Sequence, residues 1–129
     1  MSKKTVLIVE DDPSIIASYL HLLETLDEEV IPLATPFYRR AREILAQESV
    51  DLIILDLILQ DAKATDVLGE LRKTHPNIPI FLVTGYPEEL DLEKAGQFGI
   101  TQFYVKPIDA EPFGRAIENT LQQSPQGRW

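Results

Sequence analysis

The chain has 129 residues, 44% of them hydrophobic, which suits one compact domain with a sizeable core. It has no cysteine, which excludes disulfides, thiolate metal sites and a cysteine nucleophile. Its formal net charge of -9 argues against direct nucleic-acid binding, which needs a basic face.

The start, "MSKKTVLIVEDD", has too short an apolar run for a signal peptide, and no stretch is long enough to span a bilayer. The first strand is predicted over Thr5–Val9 and runs into "VEDDP". Pro13 suits the first turn of the helix that follows, with Asp12 before it as an N-cap. Ile15, Tyr19, Leu22, Leu23 and Leu26 share one face of that helix. The second strand, Glu29–Leu33, is interrupted by Pro32, which places it at a sheet edge. Thr35 and Pro36 read as the N-cap and first turn of a second helix, with Phe37, Ala41, Ile44 and Leu45 as its apolar face. Arg39, Arg40 and Arg42 on that helix read as a solvated face.

"DLIILDLILQ" follows, with the third strand over Leu52–Asp56. Asp51 caps or solvates its start. The third helix carries Ala64, Val67, Leu68 and Leu71 and ends at "HPNIP". Strand four is Ile80–Val83, followed by Thr84 and Gly85. A less periodic fourth helix spans about 87–98 and stops at Gly99. Strand five, Thr101–Val105, leads into Lys106 and Pro107. The last helix presents Phe113, Ala116, Ile117 and Leu121. Residues 1–123 form the domain, and 124–129, "SPQGRW", read as a tail or the start of a linker.

The strands show little apolar/polar alternation, as expected of parallel strands covered on both faces. Five βα units with right-handed crossovers give a doubly wound α/β fold with one parallel sheet. Ligands bind such sheets at the carboxyl ends of the strands. Those ends carry Glu10, Asp11, Asp12, Asp56, Thr84 and Lys106. Clustered carboxylates raise one another's pKa unless a cation neutralises them, and a hard divalent ion with oxygen ligands does so. Asp56 then reads as a nucleophile for phosphorus, Lys106 as a point charge for a phosphoryl oxygen, and Thr84 as a hydrogen-bond donor to another. Each residue alone has a plainer reading: a helix cap, a solvated lysine, a strand-end threonine. Asp56 is the least plain, because an unpaired buried charge costs several kcal/mol, roughly.

The motifs "LIVEDD", "DLIILDLIL", "PIFLVTG" and "FYVKP" resemble those of the CheY-like receiver domains of bacterial two-component response regulators, over nearly the whole chain. The resemblance implies a flavodoxin-like sheet of order 2-1-3-4-5 with Asp56 as phosphoacceptor. It implies Mg²⁺ (or Mn²⁺) held by Glu10, Asp11, Asp56 and the Ile58 backbone carbonyl, Glu10 acting mainly through water. Asp11 with Asp12 is the alternative pair; a third acid after the pair favours Glu10 with Asp11. Thr84, Lys106 and Phe103 take the phosphate-binding and switch positions, while Ile58 and Tyr86 take those that tune dephosphorylation.

The family usually has Pro four residues and Gly eight residues after the phosphoacceptor, where this chain has Gln60 and Ala64. The implied function is a cytoplasmic, phosphorylation-controlled switch that assists its own phosphorylation and dephosphorylation without being an enzyme of turnover. Its implied partners are a histidine kinase or histidine phosphotransfer protein and a downstream protein or effector domain, with homodimerisation possible. No direct nucleic-acid or membrane contact is expected. The alternative is a receiver-like interaction module that no longer responds to phosphate. Phosphatase, nucleotidase and zinc-hydrolase readings fail on Ile58 in place of a second Asp, on an absent GxxxxGK[ST], and on His21 and His75 lying outside the cluster.

Overall fold

The computed structural model describes residues 3–62, 64–89, 91–100 and 102–123. Five strands, β1 (Lys4–Val9), β2 (Val30–Thr35), β3 (Leu52–Asp56), β4 (Ile80–Thr84) and β5 (Gln102–Val105), form one sheet of order β2-β1-β3-β4-β5. All neighbouring strands pair in parallel. Five helices connect or follow them: α1 (Pro13–Glu24), α2 (Tyr38–Gln47), α3 (Ala64–Thr74), α4 (Leu92–Gln97) and α5 (Ala110–Gln122). The expected tail, 124–129, lies outside the described residues, as do Lys63 and Thr101.

Strand periodicity divides the core in two. Leu7, Val9, Ile53, Leu55, Ile80 and Leu82 pack with buried residues of α2 and α3. Val6, Ile8, Leu52, Ile54, Phe81 and Val83 point the other way, against Tyr19, Leu23, Phe113, Ile117 and Leu121 of α1 and α5. Tyr104 and Phe113 meet edge-on at 4.7 Å on that second face. The central strand β3 is buried throughout. Each fully buried Leu or Ile contributes about 1.5–3 kcal/mol, so the four apolar residues before Asp56 make a rigid support for it. Order reverses between β1 and β3, and that switch point opens the crevice at their carboxyl ends.

Four local expectations change. Thr35 closes β2 instead of capping α2, and Phe37 occupies the cap position with no side-chain hydrogen bond. Tyr38, rather than Phe37, is buried on the inner face of α2. The expected fourth helix divides into a 3-10 turn, Pro87–Glu89, and α4, which Asp91 caps by accepting from the Lys94 N–H at 3.1 Å. Gly99, at φ 66, ends it in the left-handed region that favours glycine. Asp51 is buried, not solvated: its carboxylate accepts from the Thr5 N–H at 2.8 Å, and its own N–H donates to the Thr5 carbonyl at 2.8 Å. The arginines of α2 are exposed, with ion pairs from Arg40 to Glu43 at 3.1 Å and from Arg42 to Glu70 at 3.0 Å.

Candidate functional site

The loops leaving β1 and β3 bring three acids together. Carboxylate oxygens of Glu10, Asp11 and Asp56 all lie within 4.8 Å of one another. Asp12 stands apart: its side chain caps α1, accepting from the Ser14 N–H at 2.9 Å and the Ser14 hydroxyl at 2.7 Å. Its backbone N–H in turn donates to Glu10 at 3.0 Å. Local capping chemistry therefore separates Asp12 from its two acidic neighbours.

Lys106 arrives from the end of β5, where its N–H donates to the Thr84 carbonyl at 2.7 Å. Its ammonium lies 2.8 Å from Glu10 and 3.1 Å from Asp56. The side chains of Glu10 and Asp56 are only 2% and 9% exposed, so this ammonium holds two buried carboxylates in place. Burial lowers the Lys106 pKa, but hydrogen bonds and charge from Glu10 and Asp56 outweigh it and hold the group above its usual value. The second oxygen of Asp56 accepts from the Ile58 N–H at 3.3 Å. The Lys106–Pro107 peptide is cis.

The Asp11 carboxyl is raised as well, which here disfavours its charged form. Burial, then a hydrogen bond and charge repulsion from Glu10, raise its carboxyl, with Lys106 countering only in part. Three carboxylates therefore face one ammonium, and negative charge is left over. That surplus, carried on clustered oxygen donors, fits a hard divalent cation.

Thr84, only 1% exposed, ends β4 beside the acids, since Asp56 and Val83 are register partners. Its hydroxyl accepts from the Tyr86 N–H at 2.8 Å. Phe103, partnered with Leu82 in the sheet, and Ile58 are half-buried, while Tyr86 is 58% exposed. Tyr19 was read from its spacing only as a core residue of α1. Its hydroxyl is buried without a hydrogen-bond partner, and burial followed by the charges of Glu10 and Asp56 pushes its pKa up.

A family model described as the response regulator receiver domain matches residues 6–118. The chain belongs to that family. Over 119 residues it is 29% identical to the transcriptional regulatory protein GlrR of Escherichia coli K12, a match covering 92% of this chain and 26% of GlrR. The chain thus spans about a quarter of the length of the curated relatives it matches. The CheY-like receiver domain protein of Methanospirillum hungatei JF-1 superposes with a TM-score of 0.79 at 28% identity, over 95% of this chain and 97% of that one. The receiver domain of sensor histidine kinase PA1611 from Pseudomonas aeruginosa PAO1, solved with magnesium in its active site cleft, shares the fold with a TM-score of 0.79 at 20% identity, over 94% of this chain and 99% of that one. The chain is therefore a receiver domain of the two-component response regulator type. Among its described residues, no helix is long and apolar enough to cross a membrane.

Proposed function

We propose that Asp56 is the phosphoacceptor of this receiver domain and that Glu10, Asp11, Asp56 and the Ile58 backbone carbonyl hold Mg²⁺ (or Mn²⁺) beside it. The observation that carries this reading is the Lys106 ammonium bridging Glu10 and Asp56, with the carboxylate of Asp11 beside them. The magnesium bound by the PA1611 receiver domain supports the choice of metal. The cation would supply positive charge to the carboxylates and to the oxygens of an incoming phosphoryl group.

In the transfer, a carboxylate oxygen of Asp56 attacks the phosphorus of a phosphohistidine on a kinase or phosphotransfer protein. The new P–O bond forms as the P–N bond breaks, and the electron pair returns to the imidazole nitrogen. Lys106 turns its ammonium from Glu10 and Asp56 to a phosphoryl oxygen, which offsets charge where it accumulates. Thr84 donates a hydrogen bond from its hydroxyl to another phosphoryl oxygen. Phe103 turns inward into the space that Thr84 leaves. New phosphate contacts thus shift a two-state population, and the α4–β5–α5 face carries the change to a downstream protein or effector domain. Domain, switch and partner together make a cytoplasmic signalling module that assists its own phosphorylation and dephosphorylation.

Acetyl phosphate with Mg²⁺, followed by intact mass, tests the proposal. One added phosphoryl group that is lost on Asp56→Asn and on chelation is the expected result. An unchanged mass in the native protein would favour a receiver-like interaction module that no longer responds to phosphate.

A further inference from the structure

The chain lacks the proline and glycine usual at positions 60 and 64, yet the β3–α3 loop is anchored. Asp61 lies in this loop, and its carboxylate reaches the start of α2. One oxygen accepts from the Tyr38 N–H at 2.9 Å and the other from the Arg39 N–H at 3.1 Å. The first N–H groups of a helix have no intrahelical partner, and Phe37 offers no side-chain cap. Asp61 fills that role from 23 residues away.

The same turn is tied on its other side to β1. Thr35 Oγ1 accepts from the Phe37 N–H at 3.2 Å, and the Thr35 carbonyl accepts from the Glu10 N–H at 3.1 Å. Hydrogen bonds and short chain segments together therefore connect Glu10 through Thr35, Phe37, Tyr38 and Arg39 to Asp61, and the chain of the loop leads back to Asp56. Within that loop, the Leu59 N–H donates to the Ala62 carbonyl at 2.8 Å and the Leu57 N–H to the Val83 carbonyl at 2.9 Å. Burial would raise the Asp61 carboxyl, but the amide donors outweigh it and hold the group below its usual value.

We propose that Asp61 is a positioning residue: it clasps the β3–α3 loop to the N-terminus of α2 and so fixes the spacing between the two loops that carry the metal-binding groups. Asp61 touches neither metal nor phosphate. It acts on Asp56 and Ile58 through the loop, and α2 becomes the strut between the Glu10 side and the Asp56 side of the cleft. Coupling is reciprocal, so metal binding in turn tightens the start of α2. This inference rests on the metal reading of Glu10, Asp11 and Asp56.

Titration calorimetry of Mg²⁺, with amide hydrogen exchange by NMR, tests it on the native chain, Asp61→Ala, Asp61→Asn and Asp91→Ala. Asp91 caps α4 and serves as a control for the loss of a helix cap alone. Supporting residues behind metal ligands typically set affinity by about 10–100-fold, and a solvent-facing one belongs at the low end. The expected result is Mg²⁺ binding weakened about tenfold in Asp61→Ala, less in Asp61→Asn, which keeps one carbonyl acceptor, and unchanged in Asp91→Ala. Mg²⁺ should slow exchange at the Tyr38 and Arg39 amides of the native protein and have no effect on them in Asp61→Ala. Faster exchange at those amides with native Mg²⁺ affinity would make Asp61 a helix cap only and overturn the inference. An Asp61→Asn variant that stays folded decides the point should Asp61→Ala unfold. A native protein that binds no Mg²⁺ at all would overturn the metal reading itself, a failure distinct from that of the clasp.

Discussion

Replacing Lys106 by Met removes the ammonium that holds Glu10 and Asp56 and keeps much of the aliphatic stem. Exposed ion pairs contribute about 0–1 kcal/mol, whereas leaving a buried charge without its partner costs about 3–5 kcal/mol. The Lys106 side chain is 20% exposed and its partners only 2% and 9%, which places the group nearer the buried limit. The expected destabilisation without metal is about 3 kcal/mol. Saturating Mg²⁺ supplies the same carboxylates with another cation, so the loss should then fall by about 1.4 kcal/mol. By linkage, the substitution should tighten Mg²⁺ binding about tenfold. Urea denaturation of both proteins with and without Mg²⁺ measures the whole cycle. An equal loss in both conditions would show that lysine and metal do not share these carboxylates. A loss under about 0.5 kcal/mol without metal would show that the lysine pair is merely solvated.

The raised carboxyl of Asp11 fixes a pH dependence. Its folded form binds the proton more tightly than its unfolded form, so the metal-free protein should gain stability as pH falls from neutral through the raised pKa, the gain being complete near 3.8. Asp12 and Asp61, both lowered, withdraw stability only below that value. Urea melts between neutral pH and about pH 4.5 should show the gain, and Asp11→Asn should abolish it; a fall in stability over that range contradicts the shift. Arg72 donates to the carbonyls of Phe98 at 2.6 Å, Ile78 at 2.6 Å, Gly99 at 2.9 Å and His75 at 3.1 Å, so it ties α3 to the end of α4 and the start of β4. Arg72→Ala should cost about 2–3 kcal/mol by thermal or urea melts, and Arg72→Lys, a point charge without the fork, should recover less than half. Full recovery with lysine would refute the fork. Ile58 and Tyr86, both with bulky apolar bodies, should slow loss of the phosphoryl group by hindering water. Making both small and polar should speed dephosphorylation several-fold, and an unchanged rate would remove that role.

The strand framework was legible because its signal is local. Buried parallel strands read as apolar runs, and "TVLIV", "LIILD" and "IFLV" placed β1, β3 and β4 almost to the residue. Pro32 marked β2 as an edge strand, and β2 does stand at the edge. The polar residues of the site were legible as strand ends, since a parallel sheet delivers every strand's carboxyl end to one side. What local chemistry could not supply is any role assigned by a distant partner. Thr35 has the composition of an N-cap and accepts from the Phe37 N–H, but Asp61, far along the chain, takes the first amides of α2 itself. Asp51 reads from sequence as capping or solvating the strand start, and only Thr5 of the neighbouring strand gives it a buried amide partner. Arg72 carries no motif, and two of its four acceptors, the carbonyls of Phe98 and Gly99, come from a turn that only the folded chain brings beside it. α4 was overdrawn because Pro87 and Gly99 bracket a segment whose weak periodicity leaves room for a 3-10 turn before the helix.

The most direct measurement locates the phosphoryl group. An acyl phosphate on a carboxylate is reduced by borohydride to an alcohol, which marks the residue that carried it. After treatment with acetyl phosphate and Mg²⁺, borohydride reduction and peptide mass mapping should place homoserine at position 56 and nowhere else. Reduction product at Glu10, Asp11 or Asp12, or none at any position after phosphorylation of the chain, would contradict the assignment of Asp56.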